Sequence, residues 1–297
     1  MNYASESITR SPAKRNVRDS QEAADKLFML RMPEVAGQFY PGKAVELREL
    51  LDKIVDKKSK KINCLGCMLP HAGYAYSGLV AAETISRVKV ANTCIIIGPN
   101  HTGLGGQFSI MKEGSWNLPF GDVKINSNLA EKFIENCGLL EVDNIAHERE
   151  HSLEVIVPFL QYLNPKVEIV PIVASVGNLD NYRDIGQRLA AVVKSEGIQK
   201  DVLFIASSDM THYEDDKIVR KKDNLAIEAI LELNEEKLLV CLKMNKISMC
   251  GFVPVSIMLS YSKSLGAQKA QLIKYETSGD TTGDFSSVVG YAGVIVN

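Results

Sequence analysis

Apolar positions in this chain fall into two rhythms that alternate from about residue 35 to the C-terminus. Short continuous runs rich in β-branched residues, "NCLGCMLP", "TCIIIGP", "VEIVPIVASVG" and "DVLFIASSD", are too short for helices and predict fully buried strands. Between them apolar residues return every three or four positions. Leu47, Leu50, Leu51 and Ile54 predict a helix after the Pro41-Gly42 turn, and Ile185, Leu189 and Val192 another in "NYRDIGQRLAAVVKSEG". "SGLVAAETISRV" predicts a helix that starts near Ser77, a good N-cap residue, and "NSNLAEKFIENCG" one closed by Gly138. "SLEVIVPFLQYL" puts Leu153, Ile156, Val157 and Leu160 on one buried helical face despite Pro158. "NLAIEAILELNEEKLLVCLKMN" predicts two helices broken near Asn234, and "VPVSIMLSYSKSLG" a third. "QLIKYETS" and "SSVVGYAGVIV" close the chain as strands, and two short runs around Gly114 predict a hairpin.

Strand–helix alternation of this kind predicts an α/β fold: a mostly parallel mixed sheet with helices on both faces, in three layers. Residues 1–30 are polar and aperiodic until "AADKLFML", which predicts a loosely held tail with a short helix, ahead of a single domain over 31–297. No internal repeat or low-complexity linker divides that span.

Charge and composition narrow the ligand. With 45% hydrophobic and 24% charged residues and a net charge of −2, the 297-residue chain has ordinary globular composition and no basic footprint for nucleic acid. It shows neither a basic amphipathic helix for a membrane surface nor an apolar stretch of about 18 residues that could span one. A cytoplasmic location is expected, and the absence of a secretory h-region agrees with it. The six cysteines mostly interrupt apolar runs, as reduced core thiols do, and Cys64-x-x-Cys67 is expected to pack rather than bind metal.

Histidine placement changes the picture further. Of the five histidines, His71, His101 and His212 share one context: "CMLPHAGY", "IIIGPNHTG" and "LFIASSDMTHY" each run from a strand through a short turn to a histidine. The C-terminal ends of parallel strands lie on one side of a sheet, so these three side chains should converge on one crevice. Neutral imidazole is the commonest metal ligand, and loops held by a rigid sheet can set ligand distances. "HEREH", His147 to His151, has the form HExxH, but it abuts the start of a helix instead of lying within one, so a zinc-protease site is discounted. His151 is expected to line the crevice. Asp209, three residues before His212, either fixes that imidazole as a general base or caps the turn. Cys250, in "ISMCGFVPV", opens a helix whose N-terminus would lower its pKa and suit it as thiolate ligand or nucleophile.

The segments "VAGQFYPG", "LPHAGYAYSG", "IIGPNHTG", "HEREHSLEVIVPFLQ", "SSDMTHYE", "MCGFVPV" and "TTGDFSSVVGYAG", in this order from about Val35, resemble the Memo family, known in prokaryotes as AmmeMemoRadiSam system protein B. The resemblance implies a fold like that of class III extradiol dioxygenases. It implies a divalent metal, iron foremost with copper or zinc as alternatives, on His71 and His101, with His212 near the substrate as catalytic acid/base; Asp209, by its place beside His212 in the sequence, is the second catalytic candidate. Where those dioxygenases use a carboxylate as third ligand, this pattern offers Cys250, a softer donor that shifts preference toward copper or zinc. The function it implies is metal-dependent redox chemistry on a small substrate, as a non-haem oxidoreductase. The alternatives are a zinc-dependent hydrolase and a non-catalytic module that binds a peptide or a partner, such as an AMMECR1-like protein or a radical SAM protein.

Overall fold

The computed structural model describes residues 30–297, so the expected tail and the "AADKLFML" helix lie outside the described residues, apart from Leu30. Twelve strands and ten helices are found among those residues. In chain order the strands are β1 (Leu30–Arg31), β2 (Gly66–Leu69), β3 (Thr93–Pro99), β4 (Phe108–Ile110), β5 (Ser115–Trp116), β6 (Val123–Lys124), β7 (Glu141–Val142), β8 (Glu168–Ala174), β9 (Val202–Ser207), β10 (His212–Glu214), β11 (Ala270–Thr277) and β12 (Val288–Val296). The helices are α1 (Ala44–Ile54), α2 (Tyr74–Ser86), α3 (Ser127–Asn136), α4 (Ile145–Glu148), α5 (Val157–Leu163), α6 (Leu179–Ser195), α7 (Asp216–Leu231), α8 (Glu235–Asn245), α9 (Phe252–Ser264) and α10 (Ser278–Thr282).

The main sheet runs β10-β12-β2-β9-β3-β8-β4-β7, with β11 on the other edge of β12. Its centre, β2-β9-β3-β8, is parallel, and β12 and β4 join it antiparallel. The central strands are buried on both faces, which is why they read as continuous apolar runs. Alternate side chains divide between two cores. Met68, Ile95, Ile97, Phe204 and Val294 pack with helices α3 and α6 to α9, while Cys67, Leu69, Cys94, Ile96 and Ile205 pack with α1, α2 and α5. These are the helical layers on both faces that the alternation predicts.

Two details differ from expectation. The hairpin pairs β5 with β6 about the turn at residues 117–122, whereas β4 joins the main sheet beside β8. Gly114 is thus the break between sheets, at φ 108°, and not the hairpin turn. The expected helix over "SLEVIVPFLQYL" is regular only from Val157, with Pro158 in the first turn where its missing N–H costs nothing. Residues 152–156 form turns that face the sheet's C-terminal edge.

Candidate metal centre

β2, β9 and β3 are neighbours and parallel, so their C-terminal ends deliver His71, Ser207 with Asp209, and His101 to one edge. The penultimate residue of β3 is Gly98 because a Cβ there would stand 2.4 Å from Ser152 Oγ and 2.5 Å from Leu153 Cδ1. That close approach seats the 150–153 segment against the strand that carries His101. The loop before α9 adds Cys250. Gly251 is required beside it, since a Cβ would meet the Ser207 carbonyl oxygen at 2.1 Å.

His71, His101, His151, Asp209, His212 and Cys250 all line one crevice of about 860 Å³. The three histidines predicted from strand ends therefore do meet. His71, His101 and Cys250 each bring one donor atom within 4.8 Å of the other two.

Hydrogen-bond accounting settles which nitrogens face the crevice. Ser207 Oγ spends its only proton on the Ser152 carbonyl (2.6 Å), so at 2.7 Å it must accept from Nδ1–H of His71. His71 Nε2 is left unprotonated, 3.3 Å from Cys250 Sγ. Burial, reinforced by the neighbouring His101 and His151, pushes the His71 pKa well down and keeps the ring neutral. His101 Nδ1 is 2.9 Å from the Glu150 carboxylate, an acceptor, which frees Nε2 in the same way. His212 Nδ1 lies 2.9 Å from the Ser248 carbonyl, with the same result.

Glu150 was not anticipated. Its side chain is 1% exposed, and it accepts from the His101 amide (2.6 Å), the His101 ring and the Ser152 amide (2.8 Å). Burial alone would raise its pKa, yet these bonds and the His101 charge hold it at about 2. On His101, burial pulls the pKa down, but the bond to Glu150 and its charge raise it overall. Although Glu150, His101 and His151 also bring donor atoms together, the carboxylate is committed to its three donors, so it orients His101. The available signal was an acid directly before His151 in a segment heading into an apolar run.

His151 stacks on His101 with ring centroids 4.8 Å apart and meets Phe39 edge-on at 5.1 Å. Its pKa is lowered by burial. His147, the other end of HEREH, is turned away: it is 1% exposed, and its Nε2 is 3.2 Å from the Ser109 carbonyl. Glu148 ends the four-residue α4, so the five residues never share a helical face.

Asp209 does not serve as the partner of the His212 ring. Its carboxylate accepts the His71 amide at 2.8 Å and lies 3.9 Å from His71 Nε2, while its own amide donates to Cys250 Sγ at 3.3 Å. Burial raises its pKa. The expected lowering of the Cys250 pKa is likewise not found: burial first, then the Asp209 charge, pushes the thiol up, outweighing the backbone N–H bonds at the helix start. Without a cation the sulfur keeps its proton.

A metal ion fits this donor set. Tetrahedral Zn–N and Zn–S bonds of 2.0–2.1 and 2.3 Å separate the two donors by roughly 3.5 Å, close to the observed 3.3 Å. Both imidazoles present unprotonated Nε2 with Nδ1 held by an oxygen, the arrangement that metal-ligating histidines use. Cys64 and Cys67 have burial-raised pKa values and lie at the opposite end of β2.

Comparison with known proteins supports the whole-chain reading. A family model described as Memo-like protein matches residues 31–295. A MEMO1 family protein of Methanococcus maripaludis strain C6 is 41% identical over 286 residues, covering 90% of this chain and all of the relative. MEMO1 family proteins of Methanocaldococcus jannaschii and Aquifex aeolicus are also 41% identical, over 286 and 268 residues, covering 90% of this chain and 99% and 98% of theirs. Among solved structures, an uncharacterized protein of Escherichia coli K12 shares the fold at a TM-score of 0.54 and 12% identity, covering 77% of this chain and 98% of that one.

Proposed function

The chain belongs to the Memo family, and from that premise we propose that its crevice is a metal centre, held by His71, His101 and Cys250, that carries out redox chemistry on a small substrate. The observation that carries this reading is the hydrogen-bond accounting: His71 and His101 each donate Nδ1–H to an oxygen, and His71 Nε2 stands 3.3 Å from Cys250 Sγ. Two imidazoles are ligands that iron accepts, and the soft sulfur shifts the preference toward copper or zinc. When bound, a divalent ion supplies Lewis acidity and, for iron or copper, an electron carrier at the bottom of the crevice.

The chain's own residues divide the remaining work. Glu150 keeps His101 in the tautomer with Nε2 outward. Ser207 does the same for His71: its hydroxyl donates a hydrogen bond to the Ser152 carbonyl and so accepts from Nδ1–H. Cys250 loses its proton to become a ligand, and His212 Nε2, its ring fixed through the Ser248 carbonyl, is the nearby base to accept protons from substrate. Asp209, buried against His71 and Cys250, holds a negative charge or a proton according to the charge beside it.

The test is metal content after anaerobic purification, joined to an oxygen-uptake screen. Cys250→Ser is expected to lose most of the metal while the fold persists, because the change is nearly isosteric and a hydroxyl is a weak ligand. Full occupancy in that variant overturns the ligand assignment. Zinc alone, with no redox-active metal and no oxygen uptake, overturns the redox chemistry.

A further inference from the structure

The mouth of the crevice holds a backbone outlier that the metal centre does not explain. Tyr213 has φ 58°, the left-handed region that a bulky L-residue enters only at an energetic cost. Its neighbours enforce this. On β10, His212 and Glu214 face Val289 and Val288 of β12, so two steps on one strand oppose a single step on the other and Tyr213 is the extra residue of a bulge. His212 is pinned by the Ser248 hydroxyl, which accepts its amide at 2.8 Å, and Glu214 by Lys222 at 2.6 Å. Among the described residues little repays the strain: Tyr213 is 76% exposed, its ring meets only the adjacent His212 ring, edge-on at 5.7 Å, and its hydroxyl makes no hydrogen bond.

Tyr213 does line the crevice, with Phe39, Tyr76 and Tyr291 as further aromatic rings. Among the described residues lining that crevice there is neither lysine nor arginine, and Asp209 adds an acid. A volume of about 860 Å³ is that of a small-molecule site. We infer that Tyr213 is the ligand-gripping residue of this crevice, presented by its bulge to stack on an uncharged, aromatic small molecule lying over the His71, His101 and Cys250 donors. In the metal-free protein an anionic ligand would find Asp209 and neither lysine nor arginine on these walls. The inference rests on the crevice being a ligand site, as proposed above, but not on the metal.

Metal-free protein therefore provides the test, so that failure of the metal reading and failure of this one are separable. Ligand-observed NMR titration uses 4-ethylphenol as the neutral aromatic probe, 4-ethylcyclohexanol as its saturated counterpart and phenyl phosphate as the anion. The expected order is 4-ethylphenol bound more tightly than either control. Tyr213→Asn, which retains a residue tolerant of positive φ, is expected to weaken 4-ethylphenol by roughly 3- to 10-fold, the worth of one aromatic contact. Tyr213→Phe is expected to keep the parent affinity, since the ring and not the hydroxyl makes the contact. Relief of strain should raise the melting temperature of Tyr213→Asn by about 1–3 °C, a gain in stability accompanying a loss of binding. The inference is overturned by an unchanged affinity in Tyr213→Asn, by a lowered melting temperature in it, by tighter binding of phenyl phosphate, or by no binding of 4-ethylphenol at roughly 10 mM.

Discussion

Replacing Glu150 with glutamine isolates the residue that orients His101. The carboxylate receives three N–H donors, one on Oε2 and two on Oε1. A glutamine amide has one acceptor oxygen, so in either orientation its NH2 group confronts at least one of those donors. Stranding one buried donor costs about 1–3 kcal/mol of stability. The effect on the metal is separate: with the negative charge gone, His101 becomes a weaker donor and its Nε2 is less firmly aimed. Losing such a partner typically costs about 10- to 100-fold in metal affinity, or about 1.4–2.8 kcal/mol. Chelator competition on the loaded protein measures the second effect and thermal unfolding of the metal-free protein the first. In metal-free Glu150→Gln the His101 ring should also titrate at a lower pH, because the partner that raises its pKa has been neutralised. Unchanged metal affinity alongside a lowered melting temperature would refute the orienting role and leave Glu150 as a loop anchor.

Gly251→Ala should destabilise the protein by about 1–3 kcal/mol in urea unfolding and weaken metal binding, because its Cβ would press on the Ser207 carbonyl at 2.1 Å and displace the Cys250 loop. Arg31→Met strands the buried Glu154 carboxylate, whose partner lies 2.7 Å away, and should cost about 3–5 kcal/mol, with Arg31→Met/Glu154→Gln recovering part of it. Trp116, the chain's single tryptophan, has the Arg31 guanidinium 4.2 Å over its ring and reports the loss by fluorescence. His147 has its pKa lowered from 6.5 to about 3, by burial first and then by Arg31, so the unfolded chain binds the extra proton between those values. Stability should thus fall as pH drops from 6.5 toward 3, by at most about 5 kcal/mol, and His147→Gln should flatten that acid limb in pH-dependent denaturation.

Much of this protein is legible in its sequence because periodicity is a local property. The runs ending at Leu69, Ile97 and Ser207 read as strands since each is buried on both faces and bounded by proline, glycine or serine. Parallel pairing alone then puts His71, His101 and His212 on one edge. Cys250 stood out by its place at a helix start, and the family resemblance set it beside His71 and His101 as third ligand. Tertiary structure decided what depends on partners far apart in the chain. Glu150 acts on His101 across 49 residues, and Arg31 on Glu154 across 123, so no window along the sequence contains either pair. The Cys250 pKa shows the same limit: a helix start predicts a lowered value, but burial beside Asp209 raises it, and desolvation is set only when all the packed segments are in place. Tyr213 is the clearest case, for nothing in "MTHYE" marks a left-handed residue. Its conformation comes from a register mismatch with β12, a strand some 75 residues later, and so belongs to the assembled sheet and not to the peptide.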